Sequence, residues 1–218
     1  MMAHEQQEIL IRPYKVEDRE AIRRINYETS FLHKPHLFFD DQDVVADALT
    51  RYYTDYEPGS CFVAESAGEV VGYIIGTLDI KRMHREYGFR IILPLLVKSV
   101  GRGVFFNRKT YSFLLSGLNS YLKGEFSAPN FIQQYPSTFH INVREGFRGQ
   151  RVGSRLILRA VQLIHANHVT GVQFSTMSQE PKEFFINMGF HVIYESRRSF
   201  LRYAFGHDTP FFLFGMKI

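Results

Sequence analysis

Ser137-Thr138-Phe139-His140-Ile141-Asn142-Val143 runs into Arg144-Glu145-Gly146-Phe147-Arg148-Gly149-Gln150-Arg151-Val152-Gly153-Ser154, and then into a helical pattern that ends near Ala166. Phe139, Ile141 and Val143 alternate with His140 and Asn142, so the first piece is a strand with two chemically different faces. The Gly/Arg-rich piece is a turn, and a helix follows with Val152, Leu156, Ala160, Leu163 and Ile164 as its apolar stripe. This order predicts main-chain N–H groups from Arg148 to Ser154 at a helix start, where unpaired donors and the helix dipole favour an anion such as phosphate. Gly149 and Gly153 would let a ligand approach the backbone, and Arg148 and Arg151 would add charge that pairs with phosphate oxygens.

Two common phosphate loops are excluded. No G-x-x-x-x-G-K-S/T is present, because Arg151 follows Gly146, and Ser154 follows Gly149, at the decisive spacing; no G-x-G-x-x-G exists either. The remaining run, Arg148-Gly149-Gln150-Arg151-Val152-Gly153, resembles the coenzyme A loop of the GCN5-related N-acetyltransferases (GNAT). In that family it reads Gln or Arg, two residues, Gly, one residue, Gly or Ala. Arg151 occupies the slot of the middle glycine, which the chain tolerates if that residue is helical.

A second segment strengthens the resemblance. Ser178-Gln179-Glu180-Pro181-Lys182-Glu183-Phe184-Phe185-Ile186-Asn187-Met188-Gly189-Phe190 keeps the spacing of the family's N-x-x-A-x-x-F-Y-x-x-x-G-F, with Ser178, Pro181 and Phe185 replacing Asn, Ala and Tyr. The opening, Ile11-Arg12-Pro13 followed by Asp18 and a helix, is also common there, and Pro136 to Val143 is similar to a subgroup whose strand reads H-x-N/D-aliphatic.

Composition limits the rest. The chain has 218 residues, 45% hydrophobic, enough for a sizeable core. Cys61 is the only cysteine, which excludes an internal disulfide and a cysteine metal site; at a strand position it reads as a buried, inert thiol. No signal peptide is visible in Met1 to Glu8, and Ile91 to Val97 is far short of the ~20 apolar residues of a membrane span, so a soluble cytoplasmic protein is expected. Net charge is +4, but Lys81 to Thr110 alone carries +7 and leaves −3 elsewhere. Basicity confined to one segment argues against a nucleic-acid partner.

Along the chain, strands are expected at Glu8 to Pro13, in a hairpin around Ala67-Gly68 (Cys61 to Glu65, Val70 to Leu78), and at Phe139 to Val143, Gly171 to Thr176, Phe190 to Glu195 and Pro210 to Met216. Helices are expected at Val16 to Tyr27, Asp41 to Tyr53, Asn107 to Tyr121, Gln150 to Asn167 and Gln179 to Met188. Phe31 to Asp40 reads as a loop, with His33 and His36 near a substrate mouth rather than on a metal. Tyr111, Leu114, Leu115 and Leu118 form one helical face, and Asn119 to Tyr135 reads as loop. The fold class is therefore α+β: one domain over residues 1–218, a mixed and mostly antiparallel sheet of about seven strands with helices on both faces, and a helical, basic insertion at 81–135. The insertion reads as a packed helical segment, or as a lid, a dimer contact or a membrane-surface element.

The resemblance implies an acyl-CoA N-acyltransferase fold and metal-free transfer of an acetyl group from acetyl-CoA to an amine, of a small molecule or of a protein, within a ternary complex. It places the cofactor along Ile141, Asn142, Val143, Arg148, Gly149, Gln150, Arg151, Val152, Gly153 and Ser154, with Ser178 and Phe184 nearby. The family's tyrosine acid is replaced by Phe185, which leaves Tyr194 or Tyr203 as substitutes, or a thiolate that departs unprotonated. His140, on the non-core face of its strand, is the candidate base or substrate ligand, and Glu145 a weaker one. The absent tyrosine also admits a non-catalytic acyl-CoA-binding sensor. A homodimer is left open.

Overall fold

Residues 8–218 are described in the computed structural model; the polar start at positions 1–7 lies outside them. The apolar run from Val70 has no polar face to show solvent, and it becomes the middle of the sheet. β3 (Glu69–Thr77) is buried at every position after its first. It pairs antiparallel with β2 (Phe62–Ser66) through Ala67 and Gly68, both at positive φ (49° and 79°), as a two-residue hairpin requires. β1 (Ile9–Pro13) lies outside β2, and β4 (Ser137–Val143) pairs antiparallel with β3 on the other side. Then follow β5 (Gly171–Thr176), β7 (Thr209–Lys217) and β6 (His191–Arg198), giving a seven-stranded sheet in the order β1-β2-β3-β4-β5-β7-β6. Among the described strands only β4 and β5 run parallel.

Both faces are covered, as expected. On one, α6 (Val152–Ala166) buries Val152, Leu156, Ala160 and Ile164 against Phe62, Ala64, Ile74, Phe139 and Val172. Each fully buried aliphatic side chain of this kind stabilises by roughly 2 kcal/mol. On the other, α1 (Arg19–His33) sets Ile22 and Ile25 against Val63, Tyr73 and Ile75. α2 (Gln42–Tyr56) follows, capped by Asp41, whose carboxylate accepts the Val44 N–H at 3.0 Å.

The basic segment is more helical than its sequence suggested. α3 (Ile80–Tyr87) continues through a wide π turn at Gly88–Ile92 into α4 (Leu93–Gly101). Pro94 sits at the start of α4, where its missing N–H and fixed φ are tolerated. After α5 (Arg108–Leu122) the chain is irregular as far as β4. The face Tyr111, Leu114, Leu115, Leu118 is not a core stripe: all four are 47–57% exposed, because α5 is buried instead through Thr110, Ser120 and the Phe113 ring. Five of the eight cations are paired, Arg82 and Arg90 with Glu86, Lys98 with Asp47, Arg102 with Asp41 and Asp43, and Lys109 with Asp40. Three of the five, Lys98, Arg102 and Lys109, thus clamp the segment onto the acidic run from Asp40 to Asp47. Two short helices, α7 (Lys182–Asn187) and α8 (Arg202–Phe205), precede β6 and β7. α6 begins two residues later than expected and α7 three, since turns occupy Gln150 to Arg151 and Gln179 to Pro181.

Candidate active site

β4 and β5 share two rungs, Ser137 with Val172 and Thr138 with Gln173, and then part. Two side chains pin the base of the fork. The Ser137 hydroxyl donates to the Gly171 carbonyl (2.8 Å), and the Gln173 amide to the Tyr135 carbonyl (2.8 Å). Above it, Phe139 and Phe174 stack with centroids 4.7 Å apart, and Phe174 also meets Phe185 (4.5 Å) and Phe190 (5.0 Å). These rings fill the α6 side of the fork and keep it open. The facing edges, Phe139 to Val143 and Phe174 to Thr176, have no ladder partner across the gap and offer main-chain donors and acceptors to whatever enters.

The turn after β4 leads directly to α6. Arg148 gives its N–H to the Glu145 carbonyl (3.1 Å), so the expected row of free N–H groups begins only after it. The first bond into α6 is from the Arg155 N–H to the Arg151 carbonyl (3.1 Å). Val152, Gly153 and Ser154 therefore open the helix with no carbonyl one turn back, and no side chain caps them. Arg148, Gly149, Gln150 and Arg151 are exposed beside these groups. Arg151 is not helical: at φ 61°, ψ 13° it is left-handed, like Gly149 at φ 78°. The chain needs this conformation to turn into α6, which is the physical reason a glycine suits the slot; an arginine there costs about 1 kcal/mol. Gly153 serves its neighbour rather than a ligand, since a Cβ would stand 3.2 Å from Phe184 Cζ. Arg148 reaches back, Nε to the Val143 carbonyl (3.4 Å) and Nη2 to His33 Nε2 (3.1 Å).

No protein-family model matches the chain, and no curated protein matches it in sequence. Solved structures do match in shape. The crystal structure of SsHAT is 23% identical, with TM-score 0.72, over 96% of this chain and 98% of that one. The polyamine N-acetyltransferase of Drosophila melanogaster, which forms N-acetylagmatine, is 14% identical, with TM-score 0.60, over 97% and 100%. Ard1 from Thermoplasma volcanium is 17% identical, with TM-score 0.55, over 96% and 97%. The fold is that of the GNAT acetyltransferases.

Within this GNAT fold the two sequence signatures meet: Phe184 of α7 lies on Gly153 of α6, half-exposed beside the uncapped helix start. Ser178 lies just past β5, its N–H on Thr176 Oγ1 (3.1 Å) and its hydroxyl accepting from the Glu180 N–H (3.3 Å). Gln150 bonds the Gly146 carbonyl through its side chain (3.0 Å), and Glu145 is exposed, as expected. Phe185 is buried among Phe174, Phe190 and Phe214. Tyr194 is not brought to the fork. It pairs with Leu213 on β7, two strands from β5, and its hydroxyl donates to the Ser127 carbonyl (3.2 Å). Tyr203 packs on Phe38, and burial pushes its phenol up to about 12.

His140 and Asn142 are two and four residues past the last shared rung and face α1, as alternation requires, while Phe139, Ile141 and Val143 face α6. Sequence reasoning missed what meets them there. Tyr73 Oη accepts from Asn142 Nδ2 (2.7 Å) and from Asn26 Nδ2 (2.8 Å), and it lies 3.2 Å from His140 Nδ1. Asn26 Nδ2 is 3.3 Å from the same ring nitrogen. Asn26 and Tyr73 are completely buried. Burial pushes the His140 imidazole down to about 4, not toward neutrality as expected of a base, and raises Tyr73 well above the usual phenol range. The one available signal was a polar residue, Asn26, on the apolar face of α1 beside Ile22 and Ile25. Cys61 is buried, and its thiol is raised to about 12, in line with an inert role.

At the open end of the fork α1 breaks. Phe31, Leu32 and His33 are all left-handed (φ 48°, 56°, 64°), where a loop was expected. This turns the Phe31 ring onto Phe38 (5.0 Å), Phe39 (5.6 Å) and Phe113 of α5 (5.8 Å), in a cluster that includes Met177, just beyond β5.

Proposed function

We propose that the chain is an N-acetyltransferase that moves the acetyl group of acetyl-CoA onto a primary amine by direct attack in a ternary complex, as a single domain over residues 1–218. The observation that carries this reading is the fork: unpaired edges of β4 and β5 lead from an uncapped, arginine-flanked helix start to the His140 side of the sheet. The diphosphate would lie on the N–H groups of Val152, Gly153 and Ser154, with Arg148, Gly149, Gln150 and Arg151 around it. The pantetheine arm would add the missing strand beside Ile141, Asn142 and Val143, with Ser178 and Phe184 flanking it. Holding amine and thioester together supplies proximity. The neutral amine nitrogen forms the new C–N bond and gives up one proton as the C–S bond breaks; coenzyme A leaves as the thiol carrying that proton, or as thiolate with the proton passing to water. No metal enters the scheme.

The acceptor would enter from the α1 side, past Phe31, Phe39, Phe113 and Met177, so α5 of the insertion acts as one wall of its entrance. Solved neighbours include acetyltransferases of small amines and one of a ribosomal protein; the aromatic wall favours an amine with an apolar body. Among the described residues no helix is long and apolar enough to cross a membrane. The exposed apolar face of α5 suits a homodimer contact.

Acetyl-CoA at a hundred times its Kd would stabilise the fold by about 2.7 kcal/mol. The test is a melting curve with acetyl-CoA, followed by thiol-release assays over an amine panel. A shift abolished by the double change Arg148→Ala, Arg151→Ala, together with release for some amine, supports the enzyme. Binding without release for any amine supports the sensor, and no shift at millimolar ligand removes both.

A further inference from the structure

The buried polar group on the α1 side of the fork fixes where protons lie. Tyr73 Oη has two lone pairs, and both face donors, the side-chain amides of Asn26 (2.8 Å) and Asn142 (2.7 Å). Its own proton has one acceptor left, His140 Nδ1 at 3.2 Å. The Asn26 amide nitrogen, 3.3 Å away, is a second donor to the same nitrogen, in the orientation that leaves Asn26 Oδ1 buried without a partner. His140 Nδ1 thus faces two donors and no acceptor, so it holds a lone pair, and the ring's proton resides on Nε2. Nε2 takes no hydrogen bond from the described residues and is not among the buried orphan atoms, so it faces accessible space. His140 stands opposite Ile75 of β3, on the part of β4 that has no partner on its β5 side, two residues past the last β4–β5 rung, where the proposed acyl group would lie. No carboxylate, lysine or arginine approaches the ring from α1, β3 or β4 within hydrogen-bonding distance; burial alone accounts for its low basicity.

We infer that Tyr73, with Asn26, is a positioning residue that locks His140 in the neutral Nε2–H tautomer, making His140 a hydrogen-bond donor to the acyl oxygen instead of a base. The role of donor rests on the acetyl-transfer reading; the tautomer does not. A neutral imidazole aimed at a developing oxyanion needs no reorganisation as charge builds, which is how such donors lower a barrier. The amine must then reach the site already neutral or lose its proton to water.

The tautomer is read on the wild-type protein, without substrate, by long-range proton–nitrogen correlation on 15N-histidine protein, with His140→Gln to assign the signal. The expected pattern is Nε2–H, unchanged from about pH 8 to about pH 5. An Nδ1–H pattern, meaning that the Asn26 carbonyl oxygen is turned inward, or titration near the usual 6.5, overturns the inference. Tyr73→Phe should give mixed tautomers and a higher titration midpoint; an unchanged pattern removes Tyr73 from the role. Should that variant not fold, a slowly exchanging Tyr73 hydroxyl proton coupled to His140 Nδ1 in the wild type decides the same point, and its absence counts against it. Where acetyl transfer is measurable, His140→Gln keeps an N–H and should retain kcat within about tenfold, while His140→Leu should lose about a hundredfold or more. Equal losses would mark a base. If no amine is acetylated, the acetyl-transfer reading fails while the nitrogen spectra still decide the tautomer.

Discussion

Arg151 carries two opposed effects on one side chain. Its left-handed backbone is a strain that glycine would not feel, and its charge stands at the proposed diphosphate site. Arg151→Gly is therefore expected to raise the melting temperature by about 2–4 °C, while weakening acetyl-CoA binding in calorimetry. Arg151→Ala should weaken binding without the gain in stability. His140 gives a second expectation. Its folded pKa, about 4, lies below the ordinary 6.5, so the unfolded chain takes up a proton first as pH falls. The stability this provides is complete above the unfolded value and is lost as pH falls from about 6.5 to about 4. Chemical denaturation at several pH values should show that slope in the wild type and not in His140→Gln. Phe185 was legible as the absence of a hydroxyl, because one residue type at a known spacing decides it. The partners of His140 were not legible, since Asn26 and Tyr73 lie 114 and 67 positions away and only the folded sheet brings them together.

At the scale of elements, β4, its turn and α6 could be read because each is defined by local pattern: alternation, glycines, a helical stripe. The start of α6 was misplaced because Arg151 adopts a conformation that its residue type does not favour. α3 and α4 escaped notice because Pro94 and the glycines hide a rod that only a π turn makes continuous. Of the charges of this rod, Arg82 and Arg90 share Glu86 within it, while Lys98 and Arg102 find their partners on α2 and its cap, which no local pattern reveals. Asp47 is the centre of that clamp: it is buried, paired with Arg23 of α1 and with Lys98 of α4 (2.7 Å). Burial lowers the Lys98 pKa even so. Asp47→Ala would leave the buried Arg23 guanidinium with only the exposed Asp43 and Glu20 as partners, and is expected to lower stability by about 2 kcal/mol and to speed proteolysis between Arg102 and Asn107. Urea unfolding and timed digestion measure both.

For the molecule as a whole, the class of fold followed from strands and helices that alternate, and from one basic block set apart from them. The exposed faces of α4 and α5 did not follow, because a helical stripe reads alike whether it meets a core or solvent. Leu93, Leu96, Val97 and Val100 are, like the α5 face, about half exposed or more. A single Leu118→Glu change on α5 should leave the melting temperature within about 1 °C and reduce any concentration-dependent association seen by light scattering.

The two rungs between β4 and β5 have a mechanical meaning. They divide the sheet into two antiparallel blocks, β1 to β4 and β5 to β6, stitched at one short seam. Amides along this seam should be the first of the central strands to exchange with deuterated water, and an occupant of the fork would act as a suture, slowing exchange on both banks at once.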